Sequence, residues 1–495
     1  MKKLVRKCSM LLLCCILIGC FPAGASAAAF RDVPSGHWAR ESISRCASLG
    51  FFQGKTADTF GVGQSMTRCA AVVVLDRFFG WEEADFQLPY TDVPENAWYA
   101  GALRSAYVNG VVTGQSREFR PEDPVTREEL AVMLIRALGY TTISGVAQDL
   151  PRTFTDIDTN LGYIAMARDF GLVSGIRADT FAPTGAATRE QVAVILMRLY
   201  DKLHKETPVS MEIVSSVKEM GGLDTVAVKG ATLTSGGALK EILGSKQVRE
   251  IRSAAGEKEQ LLYVSGTGTF LPKKADTAVK KLVDAVASDD YDGLVLEISG
   301  VTADHREQMT GFVKNLNDAL GAGKLILVLP APGKDENSAV TKENGYDYSA
   351  LGKAADQLVL RVTQPVKLVN KLPVAPPEPL EQVYWGMSRL ENKGVDLESV
   401  SLMLTAEGVH YSGKSERGRL TNQEVQQKVD SGWSYDYSDR YGCAYLEKTD
   451  GNEAIWYLDG TATEDHLRML KLLGVGGLCV ENPAAASAGM LAAIQ

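Results

Sequence analysis

A pattern of anchors recurs three times in the N-terminal part of the chain, and any fold has to honour it. Phe30-Arg31-Asp32-Val33, Tyr90-Thr91-Asp92-Val93 and Phe154-Thr155-Asp156-Ile157 open three units, spaced by roughly 60 residues. Trp38 and Trp98 follow the aspartate in the first two units, where the third has Gly162-Tyr163. Gly54, Gly114 and Gly175 are read as closing a first helix, since glycine suits the left-handed residue after a helix. Phe60, Phe119 and Phe181 precede a turn. Thr67-Arg68-Cys69-Ala70, Thr126-Arg127-Glu128-Glu129 and Thr188-Arg189-Glu190-Gln191 then open an amphipathic helix each. The threonine is a natural N-cap, and Glu129 completes a capping box in the second unit. Two short helices cannot bury their apolar faces alone, so the three units must share one core.

The anchors resemble the S-layer homology domain. The resemblance implies an all-α module of three repeats, at residues 30–86, 90–146 and 154–203, that binds pyruvylated secondary polysaccharide of a cell wall. It further implies that the opening aspartate, the aromatic residue and the arginine of the second helix line grooves between repeats. In this chain those are Asp32, Trp38, Arg68, Asp92, Trp98, Arg127, Asp156 and Arg189. A guanidinium fork suits a ketal-linked carboxylate, and an indole suits a sugar face. Arg68 has lost the acidic residue of its motif, and the third unit lacks the tryptophan.

The chain opens like a leader. Lys2, Lys3, Arg6 and Lys7 precede an apolar stretch from Met10 to Phe21, and Ala25-Ser26-Ala27 offers a cleavage site. Residues 1–27 are therefore read as a signal peptide, with lipoprotein processing at Cys20 as the other option. Cys46, Cys69, Cys443 and Cys479 follow the leader. Export permits disulfides, and Cys46 with Cys69 is a candidate pair, against the alternative of buried thiols. No Cys/His spacing suggests a metal, and no cofactor is implied. A net charge of −9 argues against nucleic acid as a partner. No run after the leader is long and apolar enough for a membrane helix.

Asp201 to Pro208 reads as a charged linker, with a boundary set at 204–210. From 211 to 495 short apolar runs alternate with helical stretches, which favours an α/β barrel with a parallel sheet. Expected strands lie near Met211–Val214, Thr225–Val228, Leu261–Val264, Gly293–Ile298, Leu325–Leu329, Leu358–Val362, Val400–Leu404 and Gly477–Val480. Helices are expected over Thr277–Ala287 and Arg306–Leu320, and the Pro-rich Leu372–Leu380 is expected to be a loop.

One of these strands, within Tyr291-Asp292-Gly293-Leu294-Val295-Leu296-Glu297-Ile298-Ser299, carries a carboxylate in an apolar run. Such a group needs a partner or a chemical task. The stretch resembles the fourth-strand signature of glycoside hydrolase family 18, D-G-x-D-x-D-x-E. Asp292 and Gly293 match, whereas Val295, Glu297 and Ser299 replace the three acids that follow. Ala355–Gln364 is similar to the sixth strand of that barrel without its usual Tyr and Asp, Thr405–Gly408 is similar to the seventh with Glu407 where a Tyr is usual, and Ala454–Asp459 is similar to its V-W-x-x-D segment. The resemblance implies a (β/α)8 TIM barrel and chemistry on 2-acetamido sugars, in which the terminal Glu protonates the leaving oxygen. A serine hydroxyl cannot supply that proton near neutral pH. Glu297 lies two residues deeper, about 6.6 Å along the strand.

Three functions stay open for the barrel. The first is carbohydrate binding without turnover, with Glu297 in an ion pair, Arg361 being the candidate. The second is a hydrolase of peptidoglycan or chitin-type glycans with displaced acids, for which Glu297, Glu407, Glu481 and His410 are the candidates. The third is a structural spacer in a surface layer.

Overall fold

The computed structural model describes residues 30–150, 152–206, 209–333, 345–363 and 366–494. The expected leader, with its Cys20 option, and Gln364 lie outside the described residues. The chain divides into two compact units, Met1–Lys205 and Glu206–Gln495.

The first unit is helical. Its helices are α1 (Arg40–Ser48), α2 (Arg68–Phe79), α3 (Ala100–Val108), α4 (Arg127–Ala137), α5 (Thr141–Ala147), α6 (Leu161–Asp169) and α7 (Arg189–His204). Thr67 and Thr126 accept backbone N–H groups at the starts of α2 and α4, and Glu129 closes the capping box. At α7 the Gln191 side chain accepts the Thr188 N–H at 3.1 Å. Phe60, Phe119 and Phe181 are buried, as are the inward faces of α2, α4 and α7. The three units close into a ring through backbone bonds. Met66 N–H donates to Ala187 O (2.9 Å), Ala187 N–H to Val125 O (2.9 Å), and Val125 N–H to Met66 O (2.8 Å).

Several expectations are corrected here. The helices end earlier than Gly54, Gly114 and Gly175. Gly50, Gly110 and Gly171 take the left-handed conformation just after α1, α3 and α6, with φ of 76°, 72° and 65°. Gly54 and Gly175 instead serve close packing. A Cβ on Gly54 would lie 2.6 Å from the Phe30 ring, and one on Gly175 2.7 Å from the Phe154 ring. The linker also shrinks, because α7 takes in Asp201–His204 and the first strand starts at Val209. Arg45 on α1 pairs with Asp201 on α7 and fixes that last turn. Cys46 and Cys69 are free and buried rather than paired. The Cys46 thiol points at Ala193 O (3.5 Å), while Cys69 faces Thr67 and Glu122, so their sulfurs turn to different neighbours.

The second unit is an eight-stranded parallel barrel. Its strands are β1 (Val209–Val214), β2 (Thr225–Leu233), β3 (Glu259–Thr267), β4 (Gly293–Ser299), β5 (Lys324–Pro330), β6 (Gln357–Arg361), β7 (Val400–Thr405) and β8 (Gly477–Glu481). Each pairs in parallel with its sequence neighbours, and β1 closes onto both β2 and β8. Short β-rich runs with helices between them bury both faces of a parallel sheet, and here the pairing of β1 with both β2 and β8 closes that sheet into a barrel. Met211, Ala227, Leu261, Val295, Ile326, Val359, Met403 and Cys479 fill the interior as one apolar layer.

Two departures from the expected alternation stand out. Leu372–Val374 is not loop but pairs with Lys367–Val369 as a hairpin, and a helix starts at Leu380. Between β7 and the helix Gly460–Leu473 the chain inserts a five-stranded antiparallel sheet. Its strands are Gly408–Ser412, Ser415–Leu420, Ser434–Ser438, Cys443–Glu447 and Glu453–Tyr457.

Helix α5 accounts for the missing tryptophan of the third unit. It packs on α6 so closely that a Cβ on Gly162 would lie 1.7 Å from Ser144 O. Gly162→Ala should therefore lower stability by about 1–3 kcal/mol, as overpacking does. Gly101, inside α3, has nothing within 4 Å of a built Cβ. Gly101→Ala should raise stability by about 0.5–1 kcal/mol. Urea midpoints of the two variants check both signs.

Candidate functional site

Strand register builds the barrel mouth. Side chains two residues apart share a face, so the layer beyond the apolar interior is reached by adding two to its positions. That step leads from Ala227 to Lys229, Leu261 to Tyr263, Val295 to Glu297, Val359 to Arg361, Met403 to Thr405 and Cys479 to Glu481. The same step from Met211 and Ile326 leads to the buried apolar Ile213 and Val328, so the layer above the apolar floor is polar on six strands and charged on four, at the C-terminal end of the strands, where barrels of this type place their sites.

Those side chains form one chain of bonds across the mouth. Arg361 donates from Nε to Glu297 Oε1 (3.0 Å), from Nη2 to Glu297 Oε2 (3.3 Å) and from Nη1 to Glu481 Oε2 (3.0 Å). The Tyr263 hydroxyl also donates to Glu297, and Lys229 donates to the second oxygen of Glu481. Both oxygens of both glutamates are therefore occupied by donors from this chain. Burial alone would push the Glu481 carboxyl up, but Arg361 and Lys229 outweigh it and hold it down at about 2. Burial likewise works against the Arg361 charge, yet Glu481 and Glu297 keep it firmly protonated. The Tyr263 hydroxyl is pushed up by burial and by Glu297 beside it.

The other candidates lie apart from this network. Glu407 accepts from Asn482 (2.9 Å) and pairs with Arg419 (3.6 Å). His410 sits on the inserted sheet against Glu453 (2.9 Å). Asp292, at the opposite end of β4, accepts the Gln260 N–H at 2.8 Å and so registers β4 against β3. Val295 is part of the apolar floor, and Ser299 is exposed with its hydroxyl donating to Gly266 O (3.3 Å). Sequence reasoning did not single out Lys229, Tyr263 or Glu378. Lys229 carried the same signal as Glu297, a charge in an apolar strand. Glu378 is buried against Thr405, whose hydroxyl donates to it at 2.9 Å. Burial raises its carboxyl to about 7, against the bonds from Thr405 that lower it.

The repeats present a second set of sites. Each opening aspartate holds the turn that begins at the buried phenylalanine of its own repeat. Asp32 accepts from the N–H groups of Phe60, Gly61 and Val62, Asp92 from Phe119 and Arg120, and Asp156 from Phe181 and Ala182. Burial would raise the Asp32 carboxyl, but those N–H groups bring it below its ordinary value. Each arginine reaches the next repeat around the ring. Arg68 donates from Nε to Phe119 O (2.8 Å), Arg127 to Phe181 O (2.8 Å) and Arg189 to Phe60 O (2.9 Å). Each guanidinium also lies over the ring of that phenylalanine, within 5.0 Å. Trp38 and Trp98 are 62% and 67% exposed, each touching only the ring of a chain neighbour, His37 or Tyr99, among the described aromatic contacts.

Comparison with known proteins fits this architecture. The S-layer homology domain model matches residues 29–69, 89–131 and 153–193, so the chain carries three such repeats. An exoglucanase, XynX, of Acetivibrio thermocellus is 28% identical over 35% of this chain and 16% of its own length. The S-layer protein EA1 of Bacillus anthracis is 26% identical over 61% of this chain and 34% of its own. The chain thus spans only about a third or less of these two relatives. The barrel resembles a chitinase from Chromobacterium violaceum, with a TM-score of 0.51 and 19% identity over 58% of this chain and 98% of that one. A class V chitinase structure from Pseudomonas fluorescens gives 0.50 and 19% with the same coverage. At that identity the likeness establishes the fold.

The mouth network has a pH signature. Glu481 is held below its ordinary value, so its contribution is complete above about pH 4.5 and is lost as pH falls towards 2. It is worth on the order of 3 kcal/mol. Arg361→Met leaves two carboxylates without their shared cation and should cost about 3–5 kcal/mol near neutral pH. Urea unfolding from pH 7 to pH 3 checks both, and the variant should lose much less on acidification than the parent.

Proposed function

With three S-layer homology repeats ahead of a chitinase-like barrel, we propose a secreted cell-surface protein, anchored by its repeats and displaying a glycan-binding barrel without turnover. The anchoring ligand is a pyruvylated secondary wall polysaccharide. The guanidinium groups and exposed indoles at the repeat junctions suit a carboxylate carried on a sugar. The barrel ligand is a wall glycan or another N-acetylated sugar.

The observation that carries the loss of turnover is the mouth network. Ser299 stands where the resemblance places the proton donor, and it has no useful acidity. Neither nearby glutamate replaces it. Glu481 is held ionised far below neutral pH, and Glu297 is filled by Tyr263 and Arg361. A group that must give up a proton at the leaving oxygen is missing, while the rim remains polar enough to hydrogen-bond a sugar.

The protein should bind N-acetylglucosamine oligomers or peptidoglycan fragments saturably and release no shortened product by mass spectrometry. Cleavage that Glu297→Gln abolishes would establish a displaced acid and end the non-catalytic reading. Failure to bind any oligomer would leave the barrel a spacer. For the anchor, Arg127→Gln with Arg189→Gln should shift the protein from the pellet to the supernatant when mixed with purified walls. Undiminished sedimentation would remove those two residues from the wall site.

A further inference from the structure

The three junctions between repeats share one frame but not one chemistry. The position after the buried phenylalanine is Gly61 in the first repeat, Arg120 in the second and Ala182 in the third, all with positive φ. At the junction of the first and second repeats, Arg120 folds back on Glu129, and Glu129 in turn pairs with Arg68, both at 2.6 Å. Arg68 is the junction arginine there, with a side chain only 12% exposed. An acidic ligand would have to displace a carboxylate already in place.

The junction of the third and first repeats is open instead. Gly61 leaves the space that Arg120 occupies in the second repeat. A Cβ on Gly61 would lie 3.0 Å from Lys55 Cδ and 3.4 Å from Arg189 Cδ, so the two cationic side chains flank that glycine together. Arg189 spends Nε and Nη2 on the carbonyl groups of Phe60 and Gln53. Lys55 is exposed and donates to the neutral Gln64 amide. Among the described residues neither cation has a carboxylate within salt-bridge distance. The acids nearest Arg189, Asp32 and Glu190, are turned to backbone N–H groups, Asp32 to those of Phe60, Gly61 and Val62 and Glu190 to that of Gly63.

The third junction has Arg127 alone. Ile176 takes the place of Lys55, and Gly162 the place of the tryptophan. The loop after Asp156 reaches back to the preceding repeat, where Thr159 and Asn160 donate to Glu128. By the threefold relation, the corresponding loop of the first repeat brings Trp38 to the side of Arg189.

We propose that the Lys55–Arg189 cleft beside Gly61 is the principal anion site of the anchor, taking a carboxylate-bearing sugar against Trp38. Glu129 holds the Arg68 junction closed. The assignment rests on the anchoring reading above and gives Lys55, outside the recurring anchors, the discriminating role.

The test uses the full chain and soluble secondary wall polysaccharide, untreated or stripped of ketal pyruvate by mild acid, titrated calorimetrically at two salt concentrations. Lys55→Gln should weaken binding of the untreated polymer about tenfold and flatten its salt dependence, the effect expected for one charge-assisted contact. Arg127→Gln should weaken it by less than Lys55→Gln does. Glu129→Gln should bind at least as tightly as the parent, with added binding sites per chain if the Arg68 junction opens. Pyruvate removal should abolish the difference between the parent and Lys55→Gln. If the parent binds and Lys55→Gln matches it, the cleft assignment is overturned while anchoring stands. If the parent binds neither polymer, the anchoring reading fails and the assignment with it. Equal binding of stripped polymer, still sensitive to Lys55, would keep the cleft and replace the ketal by another acid on the polymer.

Discussion

A guanidinium shared by two carboxylates sets the character of the barrel. Arg361 reaches Glu297 across β5 on one side and Glu481 across β7 on the other, so it ties strands that are not neighbours in the sheet. A cation in this place neutralises charges that would otherwise repel one another in a partly buried layer. It also occupies the carboxylate oxygens that a ligand would have to meet. The ion pairs that stabilise the mouth are thus the same ones that occupy its two glutamates, and the apolar floor lies below them.

The repeats use arginine differently. There the guanidinium meets a carbonyl and an aromatic face rather than an acid, as in Arg127 with Phe181. Carbonyl oxygens and ring faces attract a cation without cancelling it, so the charge remains available to a ligand. Arg68, with Glu129 against it, is the exception. Within one chain the same side chain is thus spent in the barrel and held in reserve in the anchor.

Much of this was legible in the sequence because period and pattern are local. The eight barrel strands fall where short apolar runs were read, and the helix over Arg306–Leu320 matches residue for residue. The three helix starts at Thr67, Thr126 and Thr188 were equally plain, since N-caps are written in adjacent residues. The misses have physical causes. Gly54 and Gly175 look like caps, but a Cβ there would meet the carbonyl groups of the following turn, Thr56 O and Arg177 O, and then the ring of Phe30 or Phe154. The inserted sheet mixes a buried apolar strand, Glu453–Tyr457, with strands such as Ser434–Ser438 and Ser415–Leu420 that are rich in polar residues and lack the apolar runs that mark buried strands. The mouth network joins residues from five strands. Register alone relates them, and register becomes visible only once the barrel closes.

The backbone ring through Met66, Val125 and Ala187 also bears on how the anchor comes into being. The bond from Met66 to Ala187 spans about 120 residues of chain, a long loop whose closure is entropically costly and slow. A linear stack of repeats can lengthen or fray from an end without losing its middle. A closed ring cannot, because it has no end, and each repeat is completed by the one before it around the ring. The first repeat must therefore wait, with its Phe60 turn lacking the Arg189 lid, until the last helix has arrived. The module is in this sense a single cooperative unit that exists whole or not at all.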